Sequence, residues 1–221
     1  MEERTLRTSV YTQWLNNADP CAVDESCFTG MGARRVLRFS TLIANIGCED
    51  YVVGAPSISA GWTWHDCHQH YHYINYANYQ LVPLCADVAA AIAGHKNGWC
   101  VYDAGSYFGD GLYGPEGSPG CGRGYLGCSS TQFSQGISAG CYDVYPADLN
   151  CQWIDITDVP AGTYTLRIET NWDPATRLAS TPESNYSNNA ASIVVDLSRQ
   201  RVRALGDSEA LQAMRAQGCA R

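Results

Sequence analysis

Alternation with a period of two dominates this chain. In residues 35–45, Leu37, Phe39, Thr41 and Ile43 fall on one side of an extended backbone, which predicts one core strand. Residues 151–157 and 163–170 bracket the turn sequence Asp158-Val159-Pro160-Ala161-Gly162 and predict a hairpin, with Tyr164, Leu166 and Ile168 on its core face. Residues 190–197 read as a further strand and 51–53 as a short one, while 87–93 suit helix or strand and are read as strand because Lys96 follows. Residues 208–216 read as a short C-terminal helix stopped by Gly218. Residues 1–20 carry little pattern, and Pro20 marks a boundary. Residues 54–61 and the glycine-rich 105–127 read as loops, and no strand-to-helix pattern flanks the latter to make it a phosphate cradle. Tyr73, Tyr76 and Tyr79 read as core and hydrogen-bond fillers ahead of residues 81–84. There is no internal repeat. The expected class is all-β: a β-sandwich core with long loops and a short C-terminal helix.

Composition narrows the picture. A length of 221 residues suits a single domain, 1–221, large enough to bury a core. Charged residues make up only 16% of the chain while glycine and tyrosine are plentiful, which suits a loop-rich β fold. The net charge of −8, without basic clusters, argues against nucleic acid as a partner and gives cationic amines a favourable field. No apolar run approaches the roughly 18 residues of a membrane span. Met1-Glu2-Glu3-Arg4 lacks signal-peptide character, so an export signal is expected to have been trimmed or never present. Eleven cysteines without one Cys-x-x-Cys pair point to disulfides in an oxidising, secretory or extracytoplasmic compartment.

Chemistry concentrates in residues 61–73, Gly-Trp-Thr-Trp-His-Asp-Cys-His-Gln-His-Tyr-His-Tyr, which hold four of the five histidines. His68, His70 and His72 alternate, so one extended strand would turn all three imidazoles to one face as an open metal site. The outer pair would lie roughly 13 Å apart along an ideal strand, so the strand must curve at the metal. Three imidazoles alone suit zinc hydrolysis, iron oxygenation or copper oxidation equally. The fifth histidine, His95, precedes Lys96, the only lysine among fourteen basic residues. Lysine can lose its proton and act as a nucleophile where arginine cannot.

These motifs together resemble the catalytic domain of the lysyl oxidase family. The string Trp64-His65-Asp66-Cys67-His68-Gln69-His70-Tyr71-His72 is similar to the family's copper-binding talon. Gly94-His95-Lys96 resembles the segment of the cofactor lysine. Gly140-Cys141-Tyr142-Asp143-Val144-Tyr145, followed by residues 151–160, resembles the segment of the cofactor tyrosine, which falls on Tyr145. The resemblance runs over residues 21–197 and leaves 198–221 as a C-terminal tail. It departs most in residues 105–127, which are longer and richer in glycine here.

The resemblance implies an activity: oxidative deamination of primary amines, peptidyl lysine or small amines, to aldehydes, with dioxygen consumed and hydrogen peroxide and ammonia released. It implies copper on His68, His70 and His72, with zinc in an unmatured preparation, and a lysine tyrosylquinone made from Lys96 and Tyr145. His65 then stands beside the ligands rather than among them, and Asp143 and Asp66 are candidate bases by adjacency. The family's pattern pairs Cys21 with Cys67, Cys27 with Cys151, Cys100 with Cys128 and Cys121 with Cys141. Cys48 and Cys85, which have no family counterpart, are left to pair with each other, and Cys219 is left as the odd thiol. Glu183, Asn185, Asn188 and Asn189 resemble a calcium-binding segment, with asparagine where the family has aspartate at 185. A polar turn ahead of a strand accounts for the same residues. Two other functions fit the histidines: a zinc-dependent hydrolase, which gives Lys96 no task, and a non-catalytic copper-binding extracellular protein.

Overall fold

The structure is a computed structural model. It describes residues 1–16, 19–57, 60–67, 69–74, 76–87, 90–91, 93–94, 99–108, 125, 134–172, 181–198 and 200–219. In chain order the elements are α1 (Glu3–Ser9), β1 (Tyr11–Leu15), α2 (Pro20–Asp24), β2 (Arg34–Arg38), β3 (Thr41–Ala44), β4 (Tyr51–Gly54), β5 (Trp62–His65) and β6 (His70–Tyr73). There follow β7 (Ala77–Pro83), β8 (Ala93–Gly94), β9 (Gly105–Ser106), β10 (Gln135–Ile137), β11 (Cys141–Tyr145) and β12 (Trp153–Asp155). The chain ends in β13 (Gly162–Thr170), β14 (Ala190–Leu197), β15 (Val202–Ala204) and α3 (Asp207–Ala216). The class is all-β, as the alternation predicts.

A five-stranded sheet, β15-β14-β13-β7-β8, forms one layer. Tyr164, Leu166 and Ile168 of β13 alternate with more exposed neighbours, and Ile193, Val195 and Leu197 of β14 do the same. These side chains share one hydrophobic cluster with Val36, Leu37, Trp153 and Ile154 of the three-stranded sheet β1-β2-β12. A second three-stranded sheet, β3-β11-β9, and the pairs β4–β10 and β5–β6 complete the fold.

Residues 35–45 are two strands in different sheets, not one. The break falls at Phe39 and Ser40, whose backbone groups are taken by side chains. Gln152 Nε2 donates to the Phe39 carbonyl at 2.9 Å, and Ser40 N–H donates to Ser9 Oγ at 2.7 Å. With those groups satisfied off the ladder, the chain can leave one sheet and enter the next. The hairpin expected from residues 151–170 is also replaced by a crossing between layers. β12 pairs with β2, whereas β13 pairs with β7 and β14. Asp155 Oδ1 holds the corner by accepting from Thr157 N at 3.0 Å and Thr157 Oγ1 at 2.6 Å. Alternation fixes which face of a strand is buried and leaves its partner open.

Among the described residues of 87–94, Ala93 and Gly94 pair with Leu81 and Gln80. Ahead of that, Ala90 N–H bonds the Asp87 carbonyl at 2.8 Å in a turn. The N-terminal segment is structured: Leu6 of α1 is buried and β1 pairs along β2. Pro20 opens α2 instead of bounding a domain, with Asp19 capping it through a 3.0 Å bond from Cys21 N–H. α3 starts at Asp207, where Glu209 reaches back to Gly206 N–H, and Gly218 follows it with φ +70°.

Cys21 bonds Cys67, and Cys27 bonds Cys151. Cys100 and Cys141 are disulfide-bonded to partners outside the described residues, which exclude Cys121 and Cys128. The pairing of Cys48 with Cys85 is wrong. Cys85 bonds Cys219, 134 positions away with a Cα–Cα distance of 5.3 Å, and Cys48 is an exposed free thiol. The reason is topological. α3 follows the edge strand β15, and the end of the chain returns to the far side of the same sheet, where β7 ends.

Candidate metal and cofactor site

The histidine segment is a hairpin, not the continuous strand expected for His68, His70 and His72. β5 and β6 pair with His65 opposite His70 and Thr63 opposite His72. The reversal is closed by Gln69, at φ +54°, whose N–H bonds the His65 carbonyl at 2.8 Å. Cross-strand ring pairs support it, Trp64 with Tyr71 at 5.0 Å and Trp62 with Tyr73 at 5.1 Å. The Cys21–Cys67 bond ties the turn to α2.

Folding back brings His65 to the same place as His70 and His72. The Nε2 atoms of His70 and His72 lie 2.9 Å apart, and the His65 and His72 rings are 4.2 Å apart. His72 is buried. Glu25, just past the end of α2, places Oε1 2.8 Å from His65 Nδ1. Glu25, His65 and His72 each offer a ligand atom, all within 4.8 Å of one another. Converging imidazole nitrogens with a buried carboxylate fit a first-row metal ion, and a carboxylate on Nδ1 fixes a histidine's tautomer and ring. Glu25 belongs to no motif in the sequence. Its only signal there is position, an acid between the two cysteines of Cys21-x5-Cys27. His68, His95 and Lys96 lie outside the described residues.

Tyr145 ends β11, on the strand face it shares with Cys141 and Asp143. Its ring packs on Trp99 at a 4.6 Å centroid distance and on Tyr76 at 6.3 Å. Trp99 in turn pairs through its backbone with Tyr73, the last residue of β6, with N···O distances of 2.7 and 3.0 Å. One residue thus joins the histidine hairpin, through its backbone, to Tyr145, through its indole. The Tyr145 hydroxyl donates to Asp143 Oδ2 at 2.8 Å and also faces the Cys100 carbonyl. Tyr76 donates to the same Oδ2 at 3.0 Å. Burial drives the Asp143 carboxyl up to about 7, with the two phenol hydrogen bonds opposing the rise. Burial and the neighbouring Asp143 hold the Tyr145 and Tyr76 phenols well above their ordinary range.

Asp66 sits apart, exposed and accepting from Trp64 Nε1 at 2.7 Å. Glu183, Asn185, Asn188 and Asn189 line one side of a cavity of about 630 Å³ whose other walls include Glu49, Asp50 and Tyr76. Glu183 Oε1 accepts from Asn189 Nδ2 at 2.9 Å, and Asn185 Oδ1 accepts from Ser187 N at 2.9 Å. Those two oxygens are therefore engaged in local turns.

Comparison with known proteins adds the following. The family model described as lysyl oxidase matches residues 2–206. Protein-lysine 6-oxidase of Sus scrofa is 35% identical over 198 residues, 83% of this chain and 70% of that protein. The Homo sapiens protein of that name is 35% identical over 199 residues, 83% of this chain and 42% of that protein. Lysyl oxidase homolog 2A of Danio rerio is 35% identical over 180 residues, 76% of this chain and 21% of that protein. The chain thus spans about two fifths of the Homo sapiens protein's length.

Proposed function

This chain belongs to the lysyl oxidase family, and on that premise we propose that it oxidises primary amines, peptidyl lysine or small amines, to aldehydes. Each turnover consumes one dioxygen and one water and releases ammonia and hydrogen peroxide. His68, His70 and His72 would hold copper, with zinc standing in where copper is scarce. When bound, copper with dioxygen supplies the oxidising power to make a lysine tyrosylquinone of Tyr145 and Lys96, and that quinone supplies the electron sink for the amine.

The chain's own residues prepare the site. Glu25 orients His65 beside the converging nitrogens of His70 and His72. Trp99 and Tyr76 clamp the Tyr145 ring and keep water from it. Lys96 acts as a neutral amine, a form arginine cannot reach. The net charge of −8 draws cationic amines toward the protein. The disulfides suit an extracytoplasmic setting. The observation that carries the reading is Trp99, packed against Tyr145 and hydrogen-bonded through its backbone to the end of the histidine strand.

Copper-loaded protein should react with phenylhydrazine to give a visible band and should release peroxide when given a primary amine. Lys96→Arg should abolish both and leave metal content unchanged. Amine oxidation that survives Lys96→Arg would contradict the proposal. A structural calcium at Glu183, Asn185, Asn188 and Asn189 belongs to the same reading, and millimolar calcium should then raise Tm. An unchanged Tm assigns the segment to its hydrogen-bonded turns.

A further inference from the structure

Asp143 is the most enclosed acid near the cofactor tyrosine, and the chemistry so far gives it no task. Period-two alternation on β11 sets its side chain beside that of Tyr145, and the residue is wholly buried. Its Oδ2 receives the Tyr145 hydroxyl at 2.8 Å and the Tyr76 hydroxyl at 3.0 Å. Among the described residues, the titratable groups that face it are phenols: Tyr145 on its own strand, Tyr76 ahead of β7, Tyr79 on β7, and Tyr102 after Trp99. Among the described residues it makes no ion pair with a basic side chain. A buried carboxyl already engaged by two hydroxyls is badly placed to reach a substrate arriving from solvent.

We propose that Asp143 is a positioning residue for Tyr145, which holds the phenol by its hydroxyl and accepts its proton during cofactor formation, and is not the base that acts on the amine. The proposal rests on the quinone reading above. The proton step is balanced within the pair. The O–H bond of Tyr145 breaks, an O–H bond forms on Asp143 Oδ2, and the negative charge moves from carboxylate to phenolate. No net charge is added to the buried site, so the step avoids the cost of creating an ion there. Burial makes the Asp143 carboxylate a stronger proton acceptor than an ordinary aspartate, while the same burial raises the Tyr145 phenol. The Cys100 carbonyl, which faces the same hydroxyl, can accept a hydrogen bond but cannot take the proton. Loss of the carboxylate alone should therefore leave the ring seated and remove the acceptor.

Two measurements test this. In metal-free protein, the infrared band of the protonated Asp143 carboxyl should disappear with a midpoint near neutral pH and be absent from Asp143→Asn. Tyr76→Phe deletes a donor to the carboxylate and should move that midpoint upward. In copper-loaded protein under oxygen, Asp143→Asn should form the Lys96–Tyr145 cross-link about 10²-fold more slowly, with the pH dependence of the rate lost. No carboxyl titrating between about pH 5 and 9, or an Asp143→Asn protein that matures at the unaltered rate and pH profile, would overturn the assignment. If Asp143→Asn does not fold, the direction of the Tyr76→Phe shift decides, and a midpoint that stays or falls rejects the role. The infrared result needs neither metal nor quinone. Its failure removes only the Asp143 assignment, whereas a copper-loaded wild-type protein without the cross-link removes the quinone reading instead.

Discussion

Glu25 and His65 form the contact at the candidate metal site that the sequence motif does not announce. The alternation of His70 and His72 is visible in the residue string, and so is the oddity of a single lysine. A partner 40 positions upstream is visible only once α2 and two disulfides bring it in. With Oε1 2.8 Å from His65 Nδ1, Glu25 should fix that imidazole's tautomer and direct its other nitrogen. Removing such a partner typically weakens metal affinity about 10–100-fold. Because His65 stands beside the three ligands and not among them, Glu25→Gln should lower copper affinity at the low end of that range, about 10-fold, in a competition titration while the Cys21–Cys67 and Cys27–Cys151 bonds still form. Affinity unchanged by Glu25→Gln would make the contact purely structural.

At the scale of elements, the faces were legible and the partners were not. Tyr164, Leu166 and Ile168 are buried as the pattern of β13 requires, yet β13 does not pair with β12. Residues 35–45 look like one strand because alternation continues through Phe39 and Ser40. It does so across a change of sheet imposed by Gln152 and Ser9, which are distant in sequence. The histidine hairpin was missed for a related reason. Alternation at 68, 70 and 72 imitates a strand, and no glycine or proline marks the reversal, which Gln69 makes at φ +54°. Cys219 is the odd thiol of the expected pairing because it lies in the tail past residue 197, where the resemblance ends, and α3 buries none of its residues. A ten-residue helix without a buried face is marginal by itself, so the Cys85–Cys219 bond should hold it. Cys219→Ser should cost about 2–4 kcal/mol in denaturant unfolding and expose residues 207–216 to protease. A variant with unchanged stability and unchanged cleavage would show that the bond is dispensable.

For the whole molecule, two of the buried carboxylates, Asp143 and Asp155, should give stability opposite responses to pH. Asp143 has an ordinary value of 3.8 and is raised to about 7 in the fold. Between these values the folded state binds more protons than the unfolded chain, so this group's contribution is largest in acid and falls as pH rises toward 7. A shift of that size is worth at most about 4 kcal/mol. Asp155 behaves in reverse. Burial raises it, but hydrogen bonds from Thr157, Thr29 and Arg34 outweigh that and hold it below its ordinary value. Its contribution is present above about pH 4 and lost as pH falls through its folded value. Urea unfolding at pH 5 and pH 8 should show the Asp143 term as a loss of stability at the higher pH that Asp143→Asn removes. A loss that persists in the variant must come from other groups. The central claim, that one sheet strand and one lysine segment are joined into a quinone beside a histidine-bound metal, has a more direct test. Protein incubated with copper under oxygen should be digested and its peptides weighed. A single species should join the peptide of Lys96 to the peptide of Tyr145 and be absent from Lys96→Arg and Tyr145→Phe. Two separate, unmodified peptides from protein that carries copper and oxidises amines would contradict it.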